Sequence, residues 1–236
     1  MALILNIDTS TEVCSVSLFD NGKLRAIKEN TKGLNHSTLL TVYIEKVLIS
    51  QKLSVGNLDA VAISGGPGSY TGLRIGTSVA KGICYAAKLP LIAISPLQSM
   101  AGFIAENLAE HNLPDEGQLL FCPMIDARRM EVYTAFYNRN NSLIRDVRAD
   151  IIEDNSYTKY LEKGKVVFFG NGAEKCKDTL THKNAIFIDN IVTSSQHMGK
   201  LSEKAFIEKN FVDVAYYEPF YLKDFIATVP RKNIFG

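Results

Sequence analysis

Charge of one sign is the first thing this sequence lacks. Its 26 Lys and Arg face 25 Asp and Glu, for a formal net charge of +1. No global field therefore draws it to nucleic acid or to a membrane surface. A local basic patch stays open, and Arg128–Arg129 is the place for one. Long apolar runs are also missing: no stretch approaches the ~18 apolar residues of a membrane span. The N-terminal MALILNIDTST has no basic n-region and meets Asp8 early, so it reads as a first strand rather than a signal peptide. Cysteine is sparse. Cys14, Cys84, Cys122 and Cys176 form no C-x-x-C pair and lie in apolar surroundings, as reduced core residues of a cytoplasmic protein do. Histidine is scarcer in effect: His36, His111, His182 and His197 share no helix turn and form no H-E-x-x-H. They read as surface or cap residues, and no metal site is expected. Ser69 lies in a glycine-bounded turn but not in G-x-S-x-G, and no histidine is near it in sequence, so nothing calls for a nucleophilic triad.

What is present is hydrophobic content of 46% over 236 residues, enough for one large domain or two small lobes. The most informative stretch is Val61–Gly82, VAISGGPGSYTGLRIGTSVAKG. It predicts a strand (Ala60–Ser64), a tight loop (Gly65–Ser69) and a helix from about Thr71. Such a unit aims free N–H groups at whatever lies above the helix start, an arrangement that suits an anion; a plain tight turn is the competing reading. Gly72, Gly76 and Ala80 recur every four residues and form one bare stripe. Each interior glycine costs a helix roughly 1 kcal/mol against alanine, so close approach of another backbone is expected there. The stripe faces either the sheet beneath or a partner across it. The segment 36–50 is also helical, with Leu39, Leu40, Tyr43, Ile44, Val47 and Leu48 in phase. Val42 and Ile49 widen its apolar arc beyond one core face.

The chain repeats itself. Leu3–Asp8 is an apolar run ending in an acid, followed by a strand over 13–19 with the alternation of a half-buried strand, a turn at Asn21-Gly22, and a return strand. Leu119–Asp126 again ends in an acid, followed by Glu131–Tyr137 and Leu143–Ile151. Helices are expected at 95–108, 155–162, 173–180 and 195–209, and short strands at Leu91–Ile94, 166–169 and 185–188. Twofold repetition of strand, hairpin, strand and helix resembles the duplicated actin/hexokinase/heat-shock-ATPase plan. The expected fold class is α/β, two ribonuclease-H-like lobes, each a mixed sheet flanked by helices. The expected division is 1–98 for an N-terminal lobe carrying the partner-binding helices and 99–236 for a C-terminal lobe, with the tail 214–236 unplaced. In that plan Asp8-Thr9-Ser10 would be a first phosphate loop and Asp126-Ala127-Arg128-Arg129 a second. The second carries two arginines and Met130 where a phosphate hairpin usually has glycine and small polar groups. Asp8, Thr9, Ser10, Arg128 and Arg129 are therefore a candidate vestigial nucleotide or anion site. For Asp8 the simpler reading is a strand-end carboxylate bonding turn amides.

The combination I-D-T-S-T, H-S at the head of the first helix, G-G-P-G-S-Y-T-G-L-R-I-G, A-K-G and I-D-A-R-R-x-E-V-Y resembles the TsaB family. The match runs from Ala2 to about Tyr137 and is architectural beyond it. That family comprises the dimerization subunits of the tRNA threonylcarbamoyladenosine machinery, once grouped with glycoprotease-like proteins. The resemblance implies a scaffold without its own catalytic set or cofactor. It implies docking on the catalytic subunit TsaD, which shares the fold and carries a histidine pair this sequence lacks. TsaD then transfers a threonylcarbamoyl group to the adenosine next to the anticodon of tRNAs reading codons that start with A. The TsaE ATPase is expected to join, tRNA to be met through the complex, and a homodimer to form in the absence of a partner. Carried onto this chain, the contact lies on helices 36–50 and 71–87, through Leu39, Tyr43, Arg74, Ile75, Ser78 and Gly82. Two readings of other classes compete. One is an independent ATP-binding enzyme of the actin-like plan, resting on Asp8-Thr9-Ser10. The other is a glycoprotease-like metallopeptidase, resting only on the older grouping.

Overall fold

The computed structural model describes residues 2–31, 33, 35–114 and 117–223. Three antiparallel strands open the chain: β1 (Leu3–Asp8), β2 (Cys14–Asp20) and β3 (Lys23–Asn30). The tight link between β2 and β3 is the Asn21-Gly22 turn, where both residues take positive φ. After α1 (His36–Ser50) the chain returns as β4 (Ala60–Ser64), parallel to β1. It then passes through α2 (Tyr70–Ala87) to β5 (Leu91–Ile94). The sheet order is β3-β2-β1-β4-β5. Leu5, Ile7, Val16 and Leu18 pack with Leu40, Ile44 and Val47 of α1 and with Ala80 and Cys84 of α2. Adjacent parallel strands need helical crossovers, and these cover that face.

The second half repeats the plan with β6 (Leu119–Asp126), β7 (Glu131–Tyr137), β8 (Leu143–Ile151), β9 (Lys165–Phe169) and β10 (Ala185–Phe187). Its order, β10-β9-β6-β7-β8, matches the first sheet strand for strand. The helices cross between halves. α3 (Pro96–Glu106) follows β5 in sequence but packs Leu97, Met100 and Ile104 on Phe121, Ala135 and Phe169 of the second sheet. In return, α5 (Gly199–Ile207) and the 3-10 turn Ser195–Met198 pack on Ile4, Ala60, Ala62 and Ile92 of the first. Residues 195–207 are thus contiguous in sequence with the second sheet and layered on the first. Lys200 and Glu106 pair at 2.8 Å where the two crossings meet.

Several local expectations change. Ser15 and Ser17 are fully buried, so β2 is covered on both faces rather than half-exposed. The loop 193–195 lies over its polar side, and Ser15 Oγ contacts Ser195 Oγ at 2.8 Å. The expected helix at 173–180 is a 3-10 turn, Glu174–Cys176. Ala173, Cys176 and Leu180 are its apolar contacts with the core, too few to hold a longer helix. The helix expected at 155–162 shrinks to one turn, α4 (Thr158–Leu161). The tail from Val214 finds a place along α2 as far as Lys223; residues 224–236, with Pro230, lie outside the described residues. No helix among the described residues is long and apolar enough to cross a membrane. All four cysteines are free and buried. Burial pushes the Cys14 and Cys84 thiols up to about 11, away from reactive thiolates.

Candidate functional site

The bare stripe of α2 faces inward. A Cβ on Gly72 would fall against the Thr9 carbonyl, and one on Gly76 against Thr9 Oγ1, both far inside van der Waals contact. Thr9 Oγ1 donates to the Gly72 carbonyl at 2.8 Å. One turn earlier, Ser69 N donates to the Ser10 carbonyl at 2.6 Å, and Ser69 Oγ caps the helix by accepting from Gly72 N at 3.3 Å. Gly72 and Gly76 therefore serve the seam between α2 and the β1–β2 turn, and Ala80 is buried in the same core. Gly82, on the far side, has open space around it.

That turn is locked from within. Asp8 is fully buried. Its Oδ1 accepts from Ser10 N (2.9 Å), Ser10 Oγ (2.7 Å) and Ser64 Oγ (3.0 Å). Burial pushes the carboxyl pKa up, against the hydrogen bonds and the nearby His36 that pull it down. Thr9 is spent on α2, and Ser10 is buried with its hydroxyl on Asp8. His36 is likewise interior, with Nε2 donating to the Thr11 carbonyl at 2.8 Å. His197 stacks on Phe103 at 4.1 Å between centroids, and burial pushes its pKa down to about 4. These two histidines are packing residues, not the surface residues their spacing suggested. Among the described residues no three of His, Cys, Asp or Glu gather as a metal site.

A cleft of about 560 Å³ separates the two halves. Ser10, Thr11 and Gly68 line one side and Asp126, Arg128 and Asn171 the other. Asp126, the second strand-end acid, is exposed; it pairs with Lys175 and accepts from Arg128 N at 3.0 Å. Arg128 and Arg129 both take left-handed φ, 71° and 48°. Of the candidate anion residues, Ser10 and Arg128 reach this cleft. Asp8 and Thr9 lie behind it, and Arg129 is not on its wall.

The outward face of α2 is a different surface. Arg74, Ser78 and Gly82 are exposed and Ile75 is half-buried. On neighbouring α1, Leu39 and Tyr43 are half-buried, while Val42 and Ile49 are exposed, Ile49 to 64%. Tyr85, at 84%, continues the Arg74–Ser78–Gly82 row, and its helical spacing marks it in the sequence. The segment 212–223 has no periodicity to mark it. Val212 bridges to Leu91 on the open edge of the first sheet. Lys81 Nζ donates to the carbonyls of Ala215 (2.9 Å) and Tyr217 (3.1 Å). Phe220 N donates to Gly65 O at 2.8 Å, and Lys223 pairs with Glu131 of β7. The segment is a strap from one half to the other.

Two sheets of one order, exchanged helices and a polar cleft between strand-end turns define the duplicated ribonuclease-H-like plan of the actin/hexokinase/heat-shock-ATPase class. Within that class the chain matches the family model "TsaD: tRNA N6-adenosine threonylcarbamoyltransferase" over residues 30–230. It is 30% identical to the tRNA threonylcarbamoyladenosine biosynthesis protein TsaB of Escherichia coli, over 95% of this chain and 96% of that one. It is 32% identical to the Bacillus subtilis protein of the same name, over 93% of each. YeaZ from Pseudomonas aeruginosa superposes with a TM-score of 0.80 at 22% identity, covering 94% of this chain and all of that one. A Staphylococcus haemolyticus tRNA N6-adenosine threonylcarbamoyltransferase is 31% identical, but over 47% of this chain and 36% of that protein. The chain belongs to the TsaB family of tRNA threonylcarbamoyladenosine biosynthesis proteins.

Proposed function

We propose that this chain is a cytoplasmic scaffold subunit without a reaction of its own. It docks on a TsaD-type subunit through α1 and α2 and activates threonylcarbamoyl transfer to tRNA. One observation carries the reading: α2 spends its small-residue face on Thr9, yet its opposite face is left to solvent with Tyr85 exposed, and the neighbouring α1 leaves Val42 and Ile49 exposed. Exposed apolar groups gathered on a helix pair are a docking surface in search of a cover. A partner of the same fold would offer an equivalent pair, giving a four-helix contact that includes Leu39, Tyr43, Arg74, Ile75, Ser78 and Gly82. The same face would pair two copies of this chain when no partner is present, and TsaE would join the assembled complex. The independent-ATPase reading is weakened by Asp8, whose buried carboxylate is turned onto Ser10 and Ser64 instead of into the cleft.

The test is reconstitution of tRNA threonylcarbamoylation with purified components, with and without this chain. Activity that depends on the chain, and is lost with Tyr85→Asp or Ile49→Asp, supports the reading. Full activity without the chain, or with both variants, overturns it.

A further inference from the structure

Between α2 and the strap runs a groove of about 470 Å³. Its α2 wall presents Arg74, Thr77 and Lys81; its strap wall presents Tyr217, Glu218 and Tyr221. The Arg74 guanidinium lies over the Tyr70 ring at 5.2 Å and donates to its hydroxyl at 3.2 Å. Arg74 forms no ion pair among the described residues. Lys81 uses two of its N–H groups on the strap carbonyls, leaving one. The Thr77 residue is 5% exposed, and its buried Oγ1 has no hydrogen-bond partner. A buried hydroxyl left without a partner is costly. Lys223 at the groove's end is neutralised by Glu131, so Arg74 and Lys81 face the single carboxylate of Glu218. Tyr70 and Tyr221, with centroids 4.9 Å apart, wall the site with aromatic surface, which strengthens a charge pair formed there.

We propose that this groove receives an aspartate or glutamate side chain of the docking subunit. Arg74 is its charge partner, and the Thr77 hydroxyl and the remaining Lys81 N–H complete its hydrogen bonds. The inference rests on the docking reading above, since Arg74 and Ser78 line the groove and also belong to the free face of α2. It adds what that reading does not contain: one acidic anchor, placed beside the strap instead of at the apolar centre.

Titration calorimetry of the full chain against the purified TsaD-type subunit tests it. Arg74→Glu should weaken binding by at least ~30-fold and Thr77→Val by ~3- to 10-fold, with the melting temperature unchanged for Arg74→Glu and unchanged or raised for Thr77→Val. Replacing the partner's anchoring acid by Lys should restore binding to Arg74→Glu. If Arg74→Glu and Thr77→Val bind like wild type while Tyr85→Asp does not, the groove is unoccupied and this inference fails alone. If the wild-type chain does not bind the subunit, the docking reading fails and takes the inference with it.

Discussion

Asp8 and Asp126 end equivalent strands of two halves built to one order, yet they sit in opposite surroundings. Asp8 is buried, turned inward, and ringed by three hydroxyl and amide donors. Asp126 is exposed and bound to a lysine. The cause lies in the element that follows the fourth strand of each half. In the first half it is an 18-residue helix, α2, whose glycines let it settle onto the Thr9–Ser10 turn and seal the acid beneath. In the second it is a 3-residue 3-10 turn that leaves the hairpin turn open. The half that kept its long helix is also the half with the unpartnered helix face. Sealing the turn and presenting the exposed Arg74–Ser78–Gly82–Tyr85 row are thus two sides of one helix.

Three measurements can break this comparison. The largest effect belongs to the seam. Gly76→Leu places a branched side chain against Thr9 and should cost more than ~4 kcal/mol or prevent soluble expression. Gly82→Leu, in open space, should stay within ~0.5 kcal/mol in thermal melts. Equal losses would mean the stripe is not a seam. For this reason Gly76 is unsuitable as a docking probe, whereas Arg74 and Tyr85 suit that purpose.

Next is the junction where the exchanged helices meet. His197 is neutral in the fold, with its pKa pushed from the ordinary 6.5 down to about 4. Its contribution is complete above pH 6.5 and is lost as pH falls toward 4, for a total on the order of 3 kcal/mol. Denaturant melts over that range should show the loss, and His197→Phe, which keeps the stack on Phe103, should flatten it. A slope unchanged by the variant would clear His197 of the effect.

The smallest effects compare the acids directly. Asp8→Ala leaves buried donors on Ser10 and Ser64 unpaired and should cost ~2–3 kcal/mol. Asp8→Asn should cost less, because it keeps an acceptor and removes a charge that burial disfavours. Asp126→Ala, at an exposed ion pair, should cost below ~1 kcal/mol. Matching values for the two alanine variants would show that the halves are more alike than their environments indicate.

Much of the fold was legible because buried strands announce themselves. Leu3–Asp8, Leu119–Asp126 and Glu131–Tyr137 fall where apolar runs and turn residues place them, and the largely exposed Leu143–Ile151 follows from the turn before it. The Asn21-Gly22 hairpin follows from local φ preference alone. The site was legible in part. Glycine spacing announced a close approach on α2, but a stripe has no sign, and only contact with Thr9 shows which way it points. Ser15 and Ser17 looked like a solvent face because alternation cannot tell water from a polar loop folded over the strand. His36 and His197 carry no local mark of burial, and the strap has no period to read.

By itself, then, the sequence determined the strands, the duplication and the family, since these depend on residue patterns within a few turns or on similarity along the chain. Tertiary structure decided which acid is sealed, which face of α2 is free, where helices 96–106 and 199–207 pack, and that the segment 212–223 walls a groove beside Arg74. Each of those depends on contacts between residues far apart in the chain. Which polar residues are buried and which charges pair are properties of such contacts, and no local pattern encodes them.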